Sequence, residues 1–347
     1  MNILIVKLSA IGDVIHTLPS LTALRRLYPD AHITWVVEEA SRDLILHHPH
    51  LDQVIVFRRK NWMADFKKGQ WASIRRDIRS FLTQLRSRRY DLVIDFHGLF
   101  KSAMVVAVSG GKRKLGYDSW QELACLFLNE KIPEDMSKHA VDRYLDFPLY
   151  LGAEHGPAEF VLPVSVEAKA GSAVWQEKYS LKKNKYIAIN PVALWNTKLW
   201  DNTKFAELAD IIQQRLKIPV VFTGRDKESL DDITRQMTTT GIHLGGRTSL
   251  LELACIYSDA LAVISTDSGP MHLAVAVGTP VIALFGPTDP ARTGPYGVGH
   301  TVIRAGLPCS PCLRKKCSTK ECMQAIQPGQ VFAEVQKMWQ ERGREPV

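Results

Sequence analysis

Two hydrophobic periods alternate along the chain. Continuous apolar or β-branched runs at residues 3–8, 32–37, 53–57 and 92–96 predict strands buried on both faces, as in a parallel sheet. Leu18, Leu21, Leu24 and Leu27 follow the first run at helical spacing, up to Tyr28-Pro29-Asp30. Pro19 suits the first turn of that helix, which leaves 9–16 as the loop and entry turn above the first strand. Residues 73–85 predict an amphipathic helix leading into the fourth strand. From 153 to 183 the pattern loosens around a predicted helix at 168–179. It then restarts, with strands at 186–190, 220–223, 260–265 and 281–285 and helices at 202–215, 228–237, 249–257 and 271–277. Strand and helix alternating in two series predict an α/β protein of two Rossmann-like domains, residues 1–165 and 166–347.

Composition agrees with that plan. A length of 347 residues suits two domains, and 46% hydrophobic with 23% charged residues is a globular balance. No apolar run approaches the roughly 20 residues of a spanning helix. The N-terminal apolar stretch is short and is followed by a glycine and an acid, so it reads as a buried strand rather than a secretion signal and predicts a cytoplasmic protein. The net charge of +8 calls for an anionic partner. Much of the excess is concentrated in Arg58, Arg59, Lys60, Lys67, Lys68, Arg75, Arg76 and Arg79, followed by Arg86, Arg88 and Arg89. Such a cluster serves an acidic lipid, a phosphorylated substrate or merely a solvated helix face. No nucleic-acid module accompanies it, which excludes that partner.

Candidate chemistry falls where strands end, because the loops leaving the carboxyl ends of parallel strands line the ligand crevice. After the first strand comes Ser9-Ala10-Ile11-Gly12-Asp13. There Gly12 permits a turn, and Asp13 is either a general base or a helix-capping acid. In Ser265-Thr266-Asp267-Ser268-Gly269-Pro270-Met271-His272 a strand gives way to a helix start, with Pro270 at the expected first helical position. Free amides there suit a diphosphate. Thr266 and Ser268 offer hydroxyls, Asp267 suits a sugar hydroxyl, and His272 is a ligand or a structural histidine. Lys198, in the loop after the strand at 186–190, is a point charge for phosphate or a solvated lysine. Glu228, beyond Gly224-Arg225-Asp226-Lys227, is a ribose-diol acceptor or a helix-start acid. The absence of a G-x-G-x-x-G after the first strand weighs against a dinucleotide enzyme.

Cys125 and Cys255 lie in apolar helical contexts. Cys309, Cys312, Cys317 and Cys322, at spacings of two, four and four intervening residues, predict either a structural zinc or iron tetrathiolate or reduced thiols.

The segments VKLSAIGDVIHTLPSL, VIDFHGLFKSA and ISTDSGPMHLAVAVGTPVIALFGPTDP, with the Trp-x-x-Lys-x-Trp region, resemble the ADP-heptose:lipopolysaccharide heptosyltransferases of glycosyltransferase family 9. Within that family, His16-Thr17-Leu18-Pro19 and Trp35-Val36-Val37-Glu38-Glu39 are most similar to the heptosyltransferase I branch. The resemblance implies a GT-B fold, two Rossmann-like domains with parallel sheets facing across a cleft, the first binding acceptor and the second donor. It implies inverting transfer of L-glycero-D-manno-heptose from ADP-heptose to a Kdo of Kdo–lipid A, on the cytoplasmic face of the inner membrane, with no cofactor needed for catalysis. By the same resemblance Asp13 is the general base, and Lys198, Glu228, Thr266, Asp267, Ser268, Gly269 and His272 bind donor. Arg58, Arg59 and Lys60, with Ser9 and Gly12, fall on the acceptor side. Two departures stand out. Val192-Ala193-Leu194-Trp195 replaces threonines before the lysine, and the cysteine segment is closer to second and third heptosyltransferases. The rival readings are a later core sugar or a protein as acceptor and, more remotely, a non-catalytic nucleotide or lipid A binding module.

Overall fold

The computed structural model describes residues 1–342, so 343–347, the end of the second expected domain, lie outside the described residues. The chain divides into two compact units, Met1–Pro163 and Val164–Val347.

The first unit is built on a six-stranded sheet of β1 (Asn2–Val6), β2 (His32–Glu38), β3 (Gln53–Phe57), β4 (Leu92–Asp95), β5 (Arg113–Tyr117) and β6 (Glu130–Ile132). The order is β3-β2-β1-β4-β5-β6 and every pairing is parallel. Ile3, Leu4, Ile5 and Val6 are fully buried, as a central strand covered by helices requires. β6, at the sheet edge, and β5 beside it escape the hydrophobic pattern because they are short and open with charged residues. A fork from Arg113 to Glu130, at 2.9 and 2.7 Å, ties them together.

The first helix, Ile11–Leu27, starts earlier than the leucine spacing predicts. Ala10 is its N-cap, and the Asp13 carboxylate reaches back to accept the Ala10 amide at 2.9 Å, which satisfies a donor that the helix leaves open. Pro19 therefore lies inside the helix, and Gly12 is a buried helical residue rather than the pivot of a turn. Helix Arg59–Lys67 buries no residue, whereas Trp71–Leu85 rests on the sheet through Phe81 and Leu85.

The second unit repeats the plan with β7 (Ile187–Asn190), β8 (Val220–Phe222), β9 (Ile242–His243), β10 (Ala262–Thr266), β11 (Val281–Phe285) and β12 (Thr301–Arg304). Its order, β12-β11-β10-β7-β8-β9, is that of the first sheet when each is counted from its own first strand. Its core joins Phe205, Phe222, Leu230 and Ile264 to Val331 and Val335 of the C-terminal helix Pro328–Arg342. Helix Leu250–Asp259 opens with a reciprocal cap, Ser249 N–H to Glu252 at 2.6 Å and Glu252 N–H to Ser249 Oγ at 3.2 Å. Among the described residues no helix is long and apolar enough to cross a membrane.

Candidate active site

In an open parallel sheet the strand order reverses at one point, and the loops leaving that point diverge to form a crevice. The reversal lies between β1 and β4 in the first unit and between β7 and β10 in the second.

In the first unit the loop after β1 carries Lys7 and Ser9, and the first turn of the helix that follows carries Asp13. Asp13 is half-buried, with Oδ2 on the Ala10 amide and Oδ1 facing the Tyr144 hydroxyl at 3.5 Å. Lys7 is buried and donates to the Phe96 carbonyl at 2.8 Å and to Tyr144 Oη at 2.6 Å. Burial lowers its ammonium to about 8, against the raising pull of Asp13 and Asp95. Asp95, at the end of β4, is pushed up by burial while the His97 and Gly98 amides and the Ser102 hydroxyl pull it back. His97 is driven down to about 2, chiefly by burial and then by Lys7 and Lys101, and is a neutral imidazole. Ser9 Oγ accepts Lys101 Nζ at 2.6 Å, and the same ammonium reaches Glu38 at 2.9 Å.

The basic residues lie beside this network in the same unit. Arg59 meets Glu38 at 3.6 Å, while Arg58 and Lys60 are exposed around the start of helix Arg59–Lys67. That helix and the next also expose Met63, Phe66 and Trp71, the last two rings 4.9 Å apart.

In the second unit β10 feeds helix Gly269–Ala276, with Gly269 first and Pro270 second, one place later than the sequence predicts. Ser268 is the N-cap residue, yet its side chain makes no capping bond. It accepts Asn190 Nδ2 at 3.0 Å and meets Ser265 Oγ at 3.2 Å instead. The helix start is therefore left without a side-chain cap, the arrangement that receives an anionic group. Thr266 is fully buried and donates to Val192 O at 3.2 Å, so its proton shapes the loop after β7. Lys198 and Asp267 pair at 2.6 Å, and Thr288 donates to the same carboxylate oxygen at 2.6 Å. The ammonium also stands 4.5 Å from the centre of the Trp195 ring. Glu228 is exposed in the first turn of helix Lys227–Gln236, whose cap is Asp226, and His272 is buried within helix Gly269–Ala276. Gly224, at φ +141°, holds the loop after β8 against the loop after β7, since a Cβ there would meet Val192 Cγ2 at 2.9 Å.

The tetrathiolate expectation finds no support in the side-chain geometry, and the alternative of reduced thiols fits it. Among the described residues no three His, Cys, Asp or Glu side chains are grouped to hold a metal, and all four thiols are free. Cys322 is spent on the core: its sulfur lies against Gly286, where a Cβ would come within 2.9 Å of it. Cys309 and Cys317 are exposed. The segment is anchored without them, by Cys312 and Leu313 amides on the Pro287 carbonyl at 3.0 and 2.8 Å and by Thr197 Oγ1 on Arg314 O at 2.9 Å.

Sequence reasoning passed over Lys7, Glu38, Asp95, Lys101, Tyr144, Asn190 and Thr288. Lys7 had a usable signal, being a lone cation inside a run that otherwise reads as fully buried. Tyr144 had none, since nothing in its own helix links it to β1.

Two Rossmann-like sheets of one order, each with polar groups at its reversal point, give the GT-B architecture, which a class of glycosyltransferases adopts. Comparison with known proteins makes this specific. The description glycosyltransferase family 9 (heptosyltransferase) matches residues 78–323, and the chain belongs to that family. It is 31% identical to lipopolysaccharide heptosyltransferase 1 of Pseudomonas aeruginosa over 92% of this chain and 88% of that one. Two solved structures are similar at 25% identity. Escherichia coli heptosyltransferase WaaC with ADP has a TM-score of 0.78 over 97% of this chain and 100% of that one. The same enzyme with ADP-2-deoxy-2-fluoro heptose has a TM-score of 0.76 over 97% and 99%.

Proposed function

We propose that the protein is an inverting transferase that moves L-glycero-D-manno-heptose from ADP-heptose to a Kdo hydroxyl of Kdo–lipid A during synthesis of the lipopolysaccharide inner core. The observation that carries this reading is a division of equipment. A carboxylate with one oxygen not held by backbone, Asp13, stands at one reversal point, and an uncapped helix start beside Lys198 stands at the other. Asp13 takes the proton of the acceptor hydroxyl as its oxygen attacks the anomeric carbon from the face opposite the diphosphate. The bond from that carbon to the diphosphate breaks, and ADP leaves with its growing charge met by Lys198 and the amides around Gly269. Ser268 and Asp267 shape this cradle, Glu228 takes the ribose diol, and His272 lies behind. Donors of this kind supply the stabilisation without a catalytic metal.

Arg58, Arg59 and Lys60 fit the phosphates and carboxylates of the acceptor, with Ser9 and Gly12 at its reacting end. The exposed Met63, Phe66 and Trp71, set among Lys67, Lys68, Arg75 and Arg76, suit a peripheral position on the anionic cytoplasmic face of the inner membrane. The relatives' names support an ADP-heptose donor and, more coarsely, a lipopolysaccharide acceptor.

Incubation with ADP-heptose and Kdo–lipid A, followed by mass spectrometry, tests the reading. The expected result is one heptose added to the acceptor with release of ADP. Transfer only to an acceptor that already carries heptose would move the protein to a later step of the core, and no transfer to either would end the proposal.

A further inference from the structure

Lys7 is a buried cation that the transfer reaction as written does not use. Its side chain is 3% exposed, and among the described residues no carboxylate lies within ion-pair distance of it. Leaving an ammonium buried without an acid costs several kcal/mol as an order of magnitude, so its surroundings need an account. Arg143 and Glu134 face it, but they pair with each other at 2.6 Å. Asp95 faces it from β4, with its oxygens already taken by two amides and a hydroxyl. His97 faces it as a neutral ring.

The remaining group is Asp13, and the path to it runs through Tyr144. That phenol accepts from Lys7 Nζ at 2.6 Å, so its own proton must point elsewhere, and Asp13 Oδ1 lies 3.5 Å away. Burial pushes the phenol well above its ordinary range, so it stays a neutral donor. The ammonium also lies 4.2 Å from the centre of the Tyr144 ring, which keeps lysine and tyrosine in register.

We propose that Lys7 and Tyr144 are positioning residues for the Asp13 carboxylate. The lysine polarises the tyrosine hydroxyl, the hydroxyl fixes Oδ1, and the Ala10 amide fixes Oδ2, so that the carboxylate meets the acceptor hydroxyl in one orientation. The chain ammonium–phenol–carboxylate holds Asp13 in that orientation before each turnover and loosens when the acceptor proton arrives. This rests on the reading of Asp13 as the base. It implies an alkaline limb in the rate, because the ammonium loses its proton near pH 8 and the phenol is then no longer polarised.

The test compares kcat against pH for the wild-type chain, Tyr144→Phe, Lys7→Met and Asp13→Asn, with urea unfolding as the check on folding. Tyr144→Phe keeps the ring and removes the hydroxyl, while Lys7→Met keeps the length and removes the charge. Both are expected to lower kcat at pH 7 about ten-fold, to leave the donor KM within about two-fold, and to flatten the limb near pH 8. Wild-type kcat with the limb intact in Tyr144→Phe overturns the inference, whether or not Lys7→Met folds. Asp13→Asn separates the two claims. If it retains turnover, the base reading itself fails. If it loses turnover while the other two variants do not, only the positioning role fails.

Discussion

The two units share a strand order and place opposite kinds of chemistry at the same point of it. At the β1–β4 reversal the first unit gathers titratable side chains: Lys7, Asp13, Asp95, His97 and Tyr144, most of them buried. At the β7–β10 reversal the second unit gathers hydroxyls, an amide side chain and an open helix start, with a single ion pair, Lys198–Asp267. One assembly is suited to moving a proton and the other to holding a dianion that does not titrate. A topology thus fixes where a site lies, while the residues at its strand ends decide what the site does.

The contrast can be broken in several ways. After Asp13 itself, the largest effect is expected at Lys198. Lys198→Ala removes the point charge at the leaving diphosphate and leaves Asp267 unpaired, and kcat/KM should fall about 10²–10³-fold with weaker ADP binding. Unchanged ADP affinity by calorimetry would show that the second reversal point does not hold the donor. Next is the basic patch. Charge reversal of Arg58 and Arg59 together should raise acceptor KM about ten-fold and leave donor KM alone, measured by varying each substrate in turn. Equal shifts in both constants would count against an acceptor role. Ser268→Ala is expected to do less, about two- to five-fold on donor KM, because its hydroxyl bonds Asn190 and Ser265 rather than the helix start.

The smallest effect is on stability, and it sharpens the contrast through pH. His48 in the first unit is buried and bonded at both nitrogens, to Val161 O at 3.0 Å and the His50 amide at 3.1 Å, and burial lowers it to about 4. Between pH 6.5 and 4 the unfolded chain binds a proton here that the folded chain refuses, so stability falls as pH drops through that window. The ceiling is about 3 kcal/mol. Urea midpoints at pH 7.5 and 5 should therefore differ less in His48→Gln than in the wild-type chain. An equal acid loss in both would remove His48 from the account.

The fold was largely legible, and the reasons are local. Central strands such as Ile3–Val6 and Val281–Phe285 are continuous apolar runs because both their faces are covered. The edge strands β6, β9 and β12, and β5 beside β6, were not legible. They are two to five residues long, and they carry Arg113, Glu130 and His243 where a central strand carries valine. The start of helix Ile11–Leu27 was misplaced because Ala10 has no capping side chain of its own. The cap comes from Asp13, three residues inside. Asp13, Lys198 and Ser268 were legible as candidates because each stands within eight residues beyond a strand end. Tyr144 and Thr288 could not, since each reaches its partner across more than 20 residues of chain. The spacing of the cysteines does not by itself assign them, since it is equally compatible with one sulfur packed against a core, one half-buried and two facing water.

The central claim is that Asp13 supplies the base while the other unit holds the donor. It is tested most directly by Asp13→Ala, with ADP affinity and kcat measured on the same preparation. The account predicts an ADP dissociation constant within about two-fold of wild type and a kcat lower by about 10²–10⁴-fold. A kcat near wild type, or a parallel collapse of ADP binding, would contradict it.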